Sequence, residues 1–334
     1  MKYKGIAYDI GTEYRPGEFS RFNLNESIIK SDIDEIKNKL NCNSIRIYGK
    51  DIRLLIMASE ISLQYGLNVW ISPRLIDENE SNTLRYLKEI AKEFESLKNK
   101  YIDNELIFIV GGELTIDMNC FISGATIYER ITKLLKPMFF IKSALGINPA
   151  YQKFFHKFLM DAHSVVRNEF SGKITYAGAT WETVDWNIFD FISINFYKAS
   201  FNAFFYEKKL KKLLSICKPV VITEFGCCCY DGADQKGPTG YLVLDTSKWP
   251  PVFKEKCIRN EKVQSNYIVD LLYLYDRLNI DGAFIFEFYS QKHTYNDNPE
   301  YDFDMASFGI TRSIGENKWE PKDSFYKIAD YYKF

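Results

Sequence analysis

Two glutamates carry the chemistry this sequence suggests. Glu224 ends the run at 218–226, KPVVITEFG, where Val220, Val221, Ile222 and Thr223 follow a proline and stop at the carboxylate. A short β-branched run bounded by Pro and Gly reads as a buried parallel strand. Burying an unpaired charge there is costly or forces a pKa shift, so the carboxylate needs a reason other than packing. Glu113 stands after another such run, LIFIVG at 106–111, followed by Gly112. Two carboxylates across a sugar-sized cleft can cleave a glycosidic bond. One protonates the leaving oxygen, and the other attacks the anomeric carbon or activates water. The pair must hold opposite protonation states at once. Either glutamate taken alone reads equally as a solvated loop residue or half of an ion pair.

The elements that would position them recur along the chain. Strand-like runs fall at 5–10, 44–48, 67–72, 106–111, 173–178, 189–196, 218–226 and 281–286. Helical periodicity occupies 25–40, with Asn25 and Ser27 as candidate N-caps, then 51–65, 82–98, 128–170 (interrupted at 146–149), 206–216, 260–278 and 322–332. Alternating strands and helices predict a parallel sheet. Eight units in 334 residues fit an α/β (β/α)8 TIM barrel, a single domain over 1–334 with long upper loops. A doubly wound open sheet would want a Gly-rich phosphate loop after an early strand, and neither G-x-G-x-x-G nor G-x-x-x-x-G-K-[ST] occurs. In a barrel, Glu113 and Glu224 follow strands four and seven and face the same C-terminal mouth.

Composition excludes several classes. Net charge is −1, which suggests no nucleic-acid partner. No apolar run reaches membrane-spanning length, so no membrane partner is expected. The N-terminus, MKYKGIAYDIG, enters a strand directly, and the expected location is cytoplasmic. Seven cysteines, an odd number, argue against a disulfide framework. With three histidines and no C-x-x-C spacing, no metal site is expected. Aromatic residues make up 16% of the chain and would either line a ring-binding cleft or fill the core.

Other cleft candidates are open to two readings each. Arg46 lies between two isoleucines in the second strand, so it must point into a polar mouth or be paired. Asp9 ends the first strand and would bind a hydroxyl or cap a loop. Trp181, next to Glu182, would stack on a sugar face or pack. Trp186 reads as part of the structural connection. Glu287 puts a third carboxylate at the end of the eighth strand; it would favour a cationic or hydroxyl-rich ligand, or pair with Arg46. His293 would contact substrate or sit solvated in the last loop. Asp302 and Asp304 would hold a cation with loop carbonyls, though D-x-D is a short motif. Cys227, Cys228 and Cys229 adjoin Glu224 without a basic neighbour inside the triplet, so packing beneath it is the simpler expectation.

VITEFG at 221–226 and DFISINFY at 190–197 resemble motifs of the retaining (β/α)8 glycosidases of clan A. That resemblance implies that Glu224 is the nucleophile, Glu113 the acid/base, Tyr197 a hydrogen-bond partner of Glu224, and Arg46 the arginine near it. Two departures stand out: Gly112 occupies the place of the usual Asn before the acid/base, and Phe286-Glu287 ends the eighth strand where many members carry Trp. The chain is also similar to bacterial proteins loosely labelled abortive-infection proteins, through KGIAYD, GGELT, TWETVDW, TEFGCC and the loop DFDMASFGI at 302–310. The expectation is a retaining glycoside hydrolase acting on a small-molecule or oligosaccharide substrate without a cofactor, its carboxylates about 5–5.5 Å apart, against roughly 6.5–9.5 Å for inversion. The alternatives are a sugar- or metabolite-binding barrel serving phage defence, favoured by Gly112, and a lyase or isomerase using the same glutamates.

Overall fold

The computed structural model describes residues 1–136, 150–248 and 250–333. Eight parallel strands form the central sheet: β1 (Tyr3–Asp9), β2 (Ser44–Gly49), β3 (Asn68–Pro73), β4 (Leu106–Gly112), β5 (Lys173–Ala177), β6 (Ile192–Asn195), β7 (Val220–Phe225) and β8 (Gly282–Ile285). Their order is β5-β4-β3-β2-β1-β8-β7-β6. A parallel bridge between Gly178 and Ile194 joins the two ends. The sheet is thereby a (β/α)8 barrel, as the alternation of elements predicts.

Strand periodicity sorts the side chains into two cores. Ile6, Tyr8, Ile45, Ile47, Val69, Ile71, Val220, Ile222 and Ile285 face outward and pack under the helices. The alternate residues Tyr3, Trp70, Ile107, Ile109, Phe191, Val221 and Phe284 form a separate cluster that fills the barrel's interior. Above that plug the inner positions turn polar: Arg46, Ser72, Thr175, Ser193, Asn195 and Thr223 are all buried. An apolar floor under a polar ring makes the C-terminal end of the barrel the place where charge can be held.

The surrounding helices are α1 (Glu26–Asp34), α2 (Ile52–Gln64), α3 (Glu80–Lys100), α4 (Gln152–Glu169), α5 (Ala203–Leu214), α6 (Glu261–Arg277) and α7 (Asp323–Tyr332). Asn25, rather than Ser27, caps α1 by accepting from the Ile28 N–H at 3.1 Å. Among the described residues, the expected helix at 128–170 contains the separate pieces Ile127–Leu134 and α4. Its expected interruption at 146–149 lies outside the described residues. The alternation of strand and helix fails once. Between β5 and β6 only a 3-10 turn, Trp186–Ile188, forms. The connection at 178–191 is too short for a helix with two loops, and its ends are tied by Gly178 N–H to Ser193 O and Asn195 N–H to Gly178 O, both 2.9 Å.

The strand ladders are irregular near the polar mouth. Register shifts fall between Ile109 and Gly112 in β4, between Ile194 and Asn195 in β6, and between Ala283 and Ile285 in β8. Such irregularities re-aim side chains. Here they lie beside Glu113, Asn195 and Glu287.

Candidate active site

Glu113 leaves β4 in the left-handed region, at φ 50° and ψ 38°. Its N–H still bonds Ala177 O at 3.1 Å, and its carbonyl accepts from Ile116 and Asp117 in the short helix that follows. A non-glycine residue held there is strained, and such strain concentrates at functional positions. Asn195 Nδ2 donates to Glu113 Oε1 at 3.1 Å, while Asn195 Oδ1 accepts from Thr223 Oγ1 at 2.9 Å. Burial first, then the charge on Glu224, pushes the Glu113 carboxyl up to about 8; the Asn195 bond pulls the other way.

Glu224 has a different environment. Arg46 Nη1 donates to its Oε1 at 2.7 Å, and Tyr197 Oη to its Oε2 at 3.3 Å. The same Nη1 bonds Thr223 O at 3.0 Å, and Arg46 Nη2 reaches Ser72 Oγ at 3.2 Å. Arg46 is therefore both paired and directed into the mouth. One glutamate is paired with a buried arginine; the other is pressed toward its neutral acid. That is the electrostatic contrast an acid and a nucleophile require.

The third carboxyl does not pair with Arg46. Glu287 follows a cis peptide after Phe286 and accepts from Tyr48 Oη. Burial, then the charge on Asp9, raises it to about 8. Asp9 accepts from the Gly11 N–H at 2.9 Å, as a loop cap does, yet it also lies close enough to Glu287 for the two charges to oppose each other. Burial raises Asp9 as well. Glu113, Glu224, Glu287 and Asp9 thus belong to one connected electrostatic neighbourhood.

The remaining candidates lie elsewhere or are otherwise engaged. Trp181 packs against the satellite cluster of Ile116, Ile122 and Leu134, and its Nε1 donates to Thr115 Oγ1 at 3.0 Å. Its neighbour Glu182 is the better connected of the two. It accepts from Thr115 Oγ1 at 2.7 Å, Tyr176 Oη at 2.7 Å, and the Thr115 and Ala179 N–H groups at 3.1 and 2.8 Å. This carboxyl ties the loop after β4 to the loop after β5, and its charge also bears on Glu113. His293 is half-buried, shares a hydrogen bond with Ser290 Oγ at 2.9 Å, and is pushed down to about 4 by burial. Asp302 and Asp304 do not await a cation, because the protein supplies two. Arg259 bonds each at 2.9 Å, and the buried Lys322 ammonium meets Asp304 at 2.8 Å. Among the described residues no cluster of His, Cys, Asp and Glu has the form of a metal site. Cys227, Cys228 and Cys229 are buried with their thiols raised by desolvation. Lys322 Nζ lies 3.6 Å from Cys229 Sγ, a basic neighbour invisible in the triplet itself.

Sequence reading missed Asn195. Its signal was present: in β6, Ser193 and Asn195 alternate with Ile192 and Ile194, which places polar side chains on the inner face at the mouth.

No protein-family model matches the chain, and no curated protein matches it in sequence. Solved structures do match. A Parabacteroides merdae β-glucuronidase superposes with a TM-score of 0.57 at 14% identity, over 99% of this chain and 36% of its own. The chain thus spans about a third of that protein's length. An apo β-glucosidase gives 0.53 at 12% identity, covering 92% of this chain and 88% of its own. A GH5 xyloglucan-specific endo-β-1,4-glucanase from a metagenomic library, in complex with cellotriose, gives 0.52 at 14%, covering 98% and 96%. These neighbours are glycoside hydrolases, and the likeness at such identities establishes the shared barrel. The comparisons lend no support to the abortive-infection resemblance. No helix among the described residues is long and apolar enough to cross a membrane.

Proposed function

We propose that the protein is a retaining glycoside hydrolase in which Glu224 is the nucleophile and Glu113 the acid/base. The observation that carries this reading is the opposed state of two neighbouring glutamates in one barrel mouth: Glu224 ion-paired with Arg46, Glu113 half-buried and raised to about 8 by desolvation and the Glu224 charge. The glycosidase barrels it resembles in fold support the same reading.

Glu224 attacks the anomeric carbon and forms a glycosyl ester. As the glycosidic bond breaks, its oxygen takes the proton from Glu113. The resulting Glu113 carboxylate then removes a proton from water, which attacks the same carbon and releases Glu224. Arg46 and Tyr197 hold Glu224 in place for both displacements. Asn195 orients Glu113. Gly112 leaves the sugar without the side-chain amide expected beside the acid, so the transition state must draw its hydroxyl contacts from other groups; Glu287 and Asp9 are the polar candidates on the opposite wall.

A barrel that binds a sugar without turnover is the second reading, and Gly112 favours it. Intact-protein mass spectrometry separates the two. After incubation with 2-deoxy-2-fluoro glycosides and cyclophellitol-type inhibitors, wild type is expected to gain the mass of one sugar and Glu224→Gln to gain none. An adduct that persists in Glu224→Gln would reject the assigned nucleophile, and no adduct across a broad panel, with saturable sugar binding, would favour the binding barrel.

A further inference from the structure

The helix α5 presents an unusual outer face. Phe201, just before it, and Phe204 and Phe205 in its first turn are 67%, 89% and 59% exposed. The last two rings meet edge to face at 4.9 Å. Lys208, Lys211 and Lys212 are exposed on the same helix, whereas Tyr206 and Leu210 are buried on the opposite side. Residues 204, 208 and 211 share one stripe at helical spacing, and 205 and 212 flank it. Three phenyl rings therefore stand in water at one end of a basic face.

The charges near that face are mostly positive. Its one acid, Glu207, bonds Lys211 and Arg277, each at 2.8 Å. Lys209 turns aside, its Nζ lying over the Phe196 ring and 3.4 Å from Thr180 O. Against a net charge of −1 for the whole chain, α5 is a local concentration of cations.

We propose that this face docks on an anionic lipid bilayer. The phenyl rings enter the boundary between headgroups and acyl chains, and Lys208, Lys211 and Lys212 meet the anionic headgroups. Charge selects this occupant over a second copy of the chain. A symmetric dimer through α5 would set these lysines near their own counterparts, and like charges across an interface oppose association. The expectation of no membrane partner rests on spanning length, which does not bear on a helix that lies in the interface. The loop joining β6 to α5 also contains Tyr197, whose carbonyl accepts from Asn202 Nδ2 at 2.9 Å, so the face adjoins the mouth that holds Glu224. The docking surface stands or falls independently of the glycosidase reading.

Co-sedimentation tests it, using vesicles of phosphatidylcholine alone and of phosphatidylcholine mixed with phosphatidylglycerol. The full chain is expected to pellet with the mixed vesicles, less so at high salt, and to stay in solution with phosphatidylcholine alone. Phe204→Ser/Phe205→Ser and Lys208→Glu/Lys212→Glu are each expected to bind roughly tenfold or more weakly. All four side chains are exposed, so the variants should keep the wild-type melting temperature, which is checked in parallel. The proposal is overturned if wild type ignores the mixed vesicles, or if both variants pellet like wild type. It is equally overturned if the phenylalanine variant abolishes a dimer in a wild type that shows no vesicle binding.

Discussion

The proposed mechanism needs a protonated Glu113 in its first step, and burial with the charge on Glu224 lifts that carboxyl to about 8, above neutral pH. The value of kcat/KM should therefore fall as pH rises through about 8, tenfold for each further unit. Glu287 is raised to the same region, so the limb needs an assignment. An aryl glycoside whose leaving group needs no protonation supplies it: with that substrate the limb should flatten if it belongs to Glu113, and Glu113→Gln should retain the first step. A limb that disappears in Glu287→Gln instead would transfer the acid role. Stability carries the same signature with a definite sign. A raised carboxyl binds its proton more tightly in the folded state, so its contribution is fully present below the ordinary carboxyl range and is lost as pH rises toward about 8. Glu113→Gln removes that loss, and its melting temperature should gain on wild type progressively across this window.

At the scale of elements, β7 and β8 approach so closely that glycine is required where they leave the barrel. A Cβ on Gly226 would collide with Phe286 O, a backbone atom that cannot rotate away. Gly226→Ala should lower the unfolding free energy by about 1–3 kcal/mol or more, read from the denaturant midpoint, because the two strands must part. Glu224 lies two residues before this contact, so activity should fall by more than stability alone explains. An alanine variant with wild-type midpoint and turnover would show that the strands have slack. The eight strands were legible in the sequence because each is a short apolar run, and all but β6 are ended by Gly, Pro or a charge. Arg46 was legible because a cation inside a β-branched strand has few places to go. Asn195 was legible only in part: alternation in β6 turns it inward, but its bond to Glu113 depends on β6 lying beside β7 and two strands from β4, a proximity that no local pattern records. Asp302 and Asp304 misled for the same reason: their cations, Arg259 and Lys322, come from distant parts of the chain. Trp181 looked like a stacking platform because its packing partners, Ile116, Ile122 and Leu134, come from the segment between β4 and the end of the helix Ile127–Leu134.

The charge balance of the whole upper end of the barrel constrains what can enter it. Four arginines near the mouth and its walls already have acids: Arg46 with Glu224, Arg74 with Asp117, Arg130 with Asp77 and Arg21 with Asp32. Glu113, Glu287, Asp9 and Glu182 have no such ion pair among the described residues, and burial raises all four. A ligand carboxylate placed among them would meet the Glu224 charge, and among the described residues these four arginines are already engaged by acids. Like charges brought together in an interface cost several kcal/mol. The fold is shared with β-glucuronidases, yet this balance argues against a glucuronide as substrate. With matched aryl glycosides, neutral or amino sugars should exceed the corresponding glucuronide in kcat/KM by roughly 100-fold or more. Above about pH 8, where Glu287 ionises, Glu287→Gln should narrow the gap by removing that charge while keeping its shape and its bond from Tyr48. Because the wall opposes the charge rather than the size of the sugar, the methyl ester of the same glucuronide should recover most of the lost rate. A glucuronide turned over as fast as its neutral counterpart would require a cation in the cleft that the arrangement of these four ion pairs does not provide.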